Sequence, residues 1–184
     1  KLFGSEYLER VYNPMKEYAA KVYKDKTKGK RILELYSIKN NNTEILFMER
    51  CINLLKPGKC AGIVLPEGVL DNTALEGVRK FIEKQARILN ITSIPADVFL
   101  SSGANIKPSL IFIQKYHENE IPEKDYMLTV TKVTDAGISS TGLPSQNQEL
   151  PIAAKEVCGF LLGTPMQEMI YTRAIRGSEL VNWS

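Results

Sequence analysis

An α/β fold is what this sequence predicts, and three observations predict it. Apolar residues recur at helical spacing over Ile45, Met48, Ile52 and Leu55, the stripe an amphipathic helix turns toward a sheet. Cys60–Leu65 is continuously apolar, as in a strand covered on both faces within a parallel sheet. Two further apolar stretches, Ile88–Ile94 and Ser109–Gln114, are joined by a link too short for a parallel crossover. This last pair of strands is therefore expected to be antiparallel.

Taken in order, residues 5–40 are polar and rich in Lys and Tyr; Ser5 can cap Glu6–Val11, and Asn13-Pro14 can open a second short helix. The basic run Lys24–Arg31 reads as a solvated loop or as a place to meet phosphates. Asn40-Asn41-Asn42-Thr43 is a helix start, because short polar side chains accept from the free N–H groups of a first turn. The helix Glu44–Leu55 follows, with Phe47, Cys51 and Leu54 broadening its apolar face, and Lys56-Pro57-Gly58 ends it. After the apolar strand comes a tight Pro66-Glu67-Gly68 corner, at the strand end where open α/β sheets bind ligands. Thr73-Ala74-Leu75-Glu76 has the pattern of a capping box for a helix packed on Leu75, Val78, Phe81 and Ile82. Ser101–Asn105 is a loop by composition. Tyr126–Val133 alternates as an edge strand does, and Asp135–Gln148 is a loop. Pro151–Leu162 reads as a helix on Ile152, Val157, Phe160 and Leu161, Pro165–Arg173 as another, and Ile175–Ser184 has no pattern.

The bulk numbers narrow the function classes. With 43% hydrophobic residues a packed core is expected, and 24 basic against 21 acidic residues leave a net charge of +3, which permits nucleic-acid contact without arguing for it. Cys51, Cys60 and Cys158 are scattered and odd in number, which fits a reduced, cytoplasmic setting and neither a disulfide framework nor a zinc site. The single histidine, His117, lies among polar residues beyond a strand and reads as an exposed loop residue. No apolar run reaches the roughly 20 residues of a membrane span, so no membrane partner is expected. The chain opens on Lys1-Leu2-Phe3-Gly4 without an initiator Met, and a fragment of a larger protein is expected.

Between Thr43 and Lys115 the sequence resembles the adenine-specific (N6) DNA methyltransferases of restriction–modification systems, above all the modification subunit of type I systems. The resemblance rests on Glu44–Cys51, Leu54-Leu55-Lys56-Pro57-Gly58, Ile63-Val64-Leu65-Pro66-Glu67-Gly68-Val69-Leu70, Val78–Ile82, Phe99 and Gly103–Lys115. Asp135-Ala136-Gly137-Ile138, Thr141-Gly142 and Glu149-Leu150-Pro151 are similar to the family's continuation. What it implies is the later half of a Rossmann-like, S-adenosylmethionine-dependent methyltransferase sheet with an α-helical extension. Residues 1–42 would be a lead-in, 43–116 the C-terminal half of the catalytic domain, and 117–184 an edge strand, loop and helical extension toward target recognition. The implied reaction moves a methyl group from S-adenosylmethionine to an adenine flipped out of double-stranded DNA, in company with specificity and restriction subunits.

The sequence also departs from that family. It has no Gly-rich cofactor loop and no Asn-Pro-Pro-aromatic motif; Asn13-Pro14-Met15 lacks the second Pro and the aromatic, and Phe3 by spacing is the motif's last trace. This chain alone is therefore expected to be inactive. The alternative is a non-catalytic module using a degenerate methyltransferase fold for DNA or subunit contact. Residue by residue, the resemblance places Phe99 against the flipped base or as a plug of the core beneath its loop. It makes Lys107 a phosphate contact or a solvated lysine. Pro66, Glu67 and Gly68 border the active-site crevice or form a structural corner. Cofactor-binding residues are not assigned, and no metal ligand is expected.

Overall fold

The computed structural model describes residues 42–182, apart from 124, 147–148 and 165–167. The chain divides into two units, 1–41 and 42–184, and the sheet belongs wholly to the second. Phe3, Asn13-Pro14 and the basic run Lys24–Arg31 lie outside the described residues.

Helix α1 (Thr43–Leu54) buries Ile45, Met48, Glu49 and Ile52. Its buried face is narrower than the apolar sequence suggests, because Phe47 and Leu54 point to solvent. The chain leaves α1 through Gly58, whose φ of +73° is left-handed and whose N–H donates to Lys115 O at 2.9 Å. The positive φ favours glycine here, and a Cβ would stand 2.4 Å from His117 Cε1, so that exposed ring would have to turn aside. The Lys115 ammonium donates to Ile52 O at 2.8 Å and Asn53 O at 3.3 Å, satisfying carbonyls at the end of α1.

Strand β1 (Cys60–Pro66) runs straight into helix α2 (Glu67–Asp71), so the expected tight corner is the first turn of a short helix. A 3₁₀ turn (Thr73–Leu75) and helix α3 (Glu76–Gln85) follow. The capping box does not form. Asn72, one residue earlier, accepts from Ala74 N–H at 2.9 Å, and the Glu76 carboxylate turns outward to Lys80 at 2.6 Å. Helix α3 packs over the sheet through Val78 and Ile82, and Ile82 shares a hollow of about 360 Å³ with Leu70, Ile88, Ile91 and Ile111.

The remaining strands are β2 (Ala86–Ser93), β3 (Pro108–Lys115), β4 (Met127–Lys132) and β5 (Thr172–Arg176), with helix α4 (Glu149–Leu161) between the last two. The sheet order is β1-β3-β2-β4-β5. Strand β3 is antiparallel to both β1 and β2, as the short link requires, whereas β2 and β4 are parallel. Three expectations are corrected. First, β1 has antiparallel β3 as its neighbour among the described residues, and Cys60, Gly62 and Val64 are exposed while Leu65 is buried. Among the described residues, one face of β1 is covered. Second, β4 is an inner strand, because β5 pairs on its far side and takes the edge. Third, the segment ending at Arg173 enters a strand at Thr172 and not a helix. Five residues are too few for hydropathy alternation to stand out.

Two sets of polar contacts hold the β2–β4–β5 half. A bulge at Leu89 breaks the alternation, so that Ile88 and Ile91 pair with Ile113 and Ile111 while Asn90 pairs with Phe112. Asn90 therefore turns to the opposite face and is fully buried. Its Nδ2 donates to the hydroxyls of Thr129 and Thr131, each at 3.0 Å, and its Oδ1 accepts from Thr92 at 2.7 Å. Thr131 continues the chain of bonds to Thr172 on β5 at 3.0 Å. Helix α4 supplies the second set. Glu149 accepts from the N–H groups of Thr134 (2.7 Å) and Asp135 (3.0 Å) as the chain leaves β4. Two turns on, Glu156 accepts from those of Ile170 (2.6 Å) and Tyr171 (3.1 Å) as it enters β5. Both acids are buried, a placement tolerated because donors meet the carboxylates.

Beside the bulge, Ile88 N–H donates to the Tyr126 hydroxyl at 2.9 Å, and the Arg87 guanidinium lies over the Tyr126 ring at 5.2 Å. Burial pushes the Tyr126 phenol from its ordinary 10.0 up to about 12. The folded chain thus holds this proton more tightly than the unfolded chain. The stability it contributes is present below the ordinary phenol value and is lost as pH rises through the raised one. Urea unfolding midpoints should fall across that alkaline window, and Tyr126→Phe should flatten the fall; an unchanged slope would remove Tyr126 as its source. Asn90→Ala leaves several buried threonine hydroxyls without their partner, and urea unfolding should show a loss of about 2–4 kcal/mol. A change below about 1 kcal/mol would mean that the ladder is not a stabilising network.

Candidate functional site

Strands β1, β2 and β4 run in one direction and β3 runs against them, so the carboxyl ends of three strands and the start of β3 share one end of the sheet. Register does the gathering. Pro66 pairs with Pro108 and Ser93 with Ser109. Glu67 N–H then donates to Lys107 O at 2.9 Å, and Ile94 N–H to Pro108 O at 3.2 Å. Across the parallel seam, Val133 N–H donates to Ser93 O at 3.1 Å.

Pro66, Glu67 and Lys107 therefore meet. The Lys107 ammonium lies 2.6 Å from Glu67 Oε1, both side chains partly exposed. Gly68 sits beside them, exposed on α2. The pair ties the end of β1 to the start of β3, and it occupies the charge that the sequence offers to a phosphate.

Phe99 comes to the same end on a 3₁₀ helix, Ala96–Ser102, where the sequence suggests only a loop. That helix buries none of its residues. It ends at Gly103, φ +81°, whose N–H donates to Leu100 O at 2.9 Å, and Ala104 N–H donates to Phe99 O at 3.1 Å. Phe99 is 39% exposed and Leu100 38%. Phe99 is thus partly open to solvent and otherwise covered. One oxygen of Asp97, Oδ1, is buried and accepts no hydrogen bond.

A second loop, to which the sequence assigns no role, joins this end after β4. The Asp135 carboxylate accepts from Gly137 N–H at 2.7 Å and from the Ser145 hydroxyl at 2.9 and 3.0 Å. Ile138 and Pro144 form an isolated bridge, and Ser139 and Leu143 bond across the tip. The tip residue Gly142 rests on Ser101 of the 3₁₀ helix. Asp135-x-Gly137 is the one signal in the sequence that marks this turn, since a short acid readily accepts from the N–H two residues on. Among the described residues no cluster of side chains can hold a metal ion, and no helix is long and apolar enough to cross a membrane.

With this geometry in hand, comparison assigns the family. The N-6 DNA methylase model matches residues 11–141, and the chain belongs to that family. Solved structures agree on the fold. A protein of a type I restriction–modification system, studied for complex assembly and conformational transition, superimposes with a TM-score of 0.66 at 20% identity, over 85% of this chain and 33% of its own. A modification subunit from Vibrio vulnificus, assigned to a type I restriction enzyme, gives 0.59 at 20% identity, over 80% and 31%. The type I methyltransferase subunit from Streptococcus thermophilus gives 0.50 at 20%, over 76% and 28%. This chain spans about a third of the length of these proteins. No curated protein matches the chain in sequence. The α/β sheet with its antiparallel β3 is thus part of a Rossmann-like methyltransferase fold.

The Glu67–Lys107 pair joins two exposed side chains, and such pairs contribute about 0–1 kcal/mol. Lys107→Ala should shift the unfolding midpoint by no more than that amount. A loss above about 2 kcal/mol would show that the pair, and not the Pro66–Pro108 register, holds these strand ends together.

Proposed function

We propose that this chain is the later half of the catalytic domain of an adenine-specific (N6) DNA methyltransferase, the modification enzyme of a restriction–modification system. The observation that carries the proposal is the N-6 DNA methylase match over residues 11–141. The enzyme would take a methyl group from S-adenosylmethionine and place it on the exocyclic amino group of an adenine in double-stranded DNA. That amino group is out of reach within the stack, so the base must be swung out.

The residues at this end of the sheet fit the reception of such a base better than the binding of the cofactor. Phe99 offers an exposed ring on a strand-end loop, and stacking a base on an aromatic ring contributes about 1–3 kcal/mol. Lys107 can leave Glu67 for a phosphate, since an exposed ion pair is a weak competitor for a phosphate contact. Pro66, Glu67 and Gly68 border the crevice. In this reading S-adenosylmethionine is held by a loop that the described residues do not supply. The cofactor loop and the Asn-Pro-Pro-aromatic motif belong, in this proposal, to sequence beyond this chain, and the chain by itself transfers nothing. Its partners are duplex DNA and the specificity and restriction subunits, in the cytoplasm.

In the enzyme that carries this chain, Phe99→Ala should lower methyl transfer to duplex DNA by about ten- to a hundredfold, with cofactor affinity nearly unchanged. Tritium incorporation and calorimetric titration of S-adenosylmethionine measure the two. An unaltered rate would remove Phe99 from the site.

A further inference from the structure

The 3₁₀ helix that carries Phe99 has little of its own to hold it in place. It buries none of its residues, and its opening bond, Val98 N–H to Pro95 O, is long at 3.4 Å. Asp97 places a carboxylate oxygen in its interior with no donor opposite. The loop that meets it is built the other way. Glu149 fastens its base through two backbone N–H groups, Asp135 closes it through Gly137 and Ser145, and the Ile138–Pro144 bridge ties its arms together. A cross-linked loop thus stands against a weakly held helix, and Gly142 is the point of contact. A Cβ there would lie 3.0 Å from Ser101 Cβ and 3.4 Å from its Oγ. Only Leu100 separates Ser101 from Phe99.

We infer that Gly142 is a positioning residue: through Ser101, the 134–149 loop sets where the Phe99 ring stands at the carboxyl end of the sheet. The inference rests on the proposal that Phe99 receives the flipped base. The φ of +82° already favours glycine at 142, and the close approach adds a second constraint, since a Cβ there presses on the Ser101 side chain. A misplacement of about 1 Å can cost about a hundredfold in a reaction that depends on alignment, so the smaller shift that this contact demands is expected to cost less.

The test is steady-state tritium transfer from S-adenosylmethionine to unmethylated plasmid DNA by the enzyme that carries this chain. Gly142→Ala should lower kcat about tenfold while KM for DNA changes less than about twofold. The φ of +82° at Gly142 strains alanine whatever its neighbour, so the same substitution is also made in an S101G background, where the Cβ it would strike is gone. There it should cost less than about threefold in kcat. An equal loss in both backgrounds assigns the effect to backbone strain and overturns the inference, as does an unchanged kcat. Ser145→Ala, which removes a partner of Asp135 without adding bulk, should lower kcat in the same direction even if Gly142→Ala fails to fold; no effect overturns the brace. Phe99→Ala, measured alongside, separates the two ideas. If Phe99→Ala slows transfer and Gly142→Ala does not, the brace fails and base reception stands. If Phe99→Ala has no effect, both fall.

Discussion

The insertion of β3 between two strands that run alike is the constraint on which the rest of this sheet depends. β1 and β2 are joined through α3 as a parallel crossover, yet they do not touch; β3 enters between them, antiparallel to both. That single strand makes the ladder bonds on either side, and its buried Ile111 and Ile113 form the floor against which the helices pack. It also does the functional alignment. Because Pro108 lies opposite Pro66 and Ser109 opposite Ser93, the residues just before β3 meet those just after β1 and β2. A slip of one residue would reverse every side chain of β3 and bring Lys107 out of register with Glu67.

The other half of the sheet is held by different means. A polar row running from Thr92 and Asn90 to Thr129, Thr131 and Thr172 crosses three strands. Two buried carboxylates of α4 collect backbone N–H groups at the exit of β4 and the entrance of β5. Directional contacts of this kind define a register more sharply than aliphatic packing does, since each fails entirely when displaced. Apolar burial alone would leave β5, with Arg173 and Arg176 exposed among its five residues, weakly placed.

The legible parts of the fold were those written in hydropathy and in chain length. The α1 stripe, the apolar β1 and the short link that forces β2 and β3 to be antiparallel all read directly. What misled was polarity turned inward. Helix α4 was expected to bury Ile152 and Leu161, whereas both are exposed and its inner face is Glu149, Ala153, Glu156 and Val157. No hydropathy pattern marks an acid whose partners are backbone N–H groups distant in sequence. The bulge at Leu89 is hidden in the same way, since it moves Asn90 from one face to the other without any change of composition. β1 differs in the opposite sense: its unbroken apolar run promises two covers, and the described residues supply one. At the candidate site, resemblance brought forward Phe99, Lys107 and the Pro66–Gly68 corner. It did not reveal that Lys107 and Glu67 neutralise each other, because they lie forty residues apart in sequence and meet only through register.

The distribution of rigidity follows from these two styles of construction. Strand ends fixed by register carry Pro66, Glu67 and Lys107, and a loop closed by carboxylates stands beside them. Between the two lies the 3₁₀ helix with Phe99, which shares neither kind of support. If the ring receives a base as proposed, a mount that can yield suits it, provided that something firm defines its resting place. Here the firm element lies some forty residues further along the chain than the ring. Its carboxylates, Asp135 and Glu149, lie away from the ring, and the loop they close meets the Phe99 helix where Gly142 approaches the Ser101 side chain. In the brace inferred above, the loop after β4 would contribute to the position of the ring alongside its own helix.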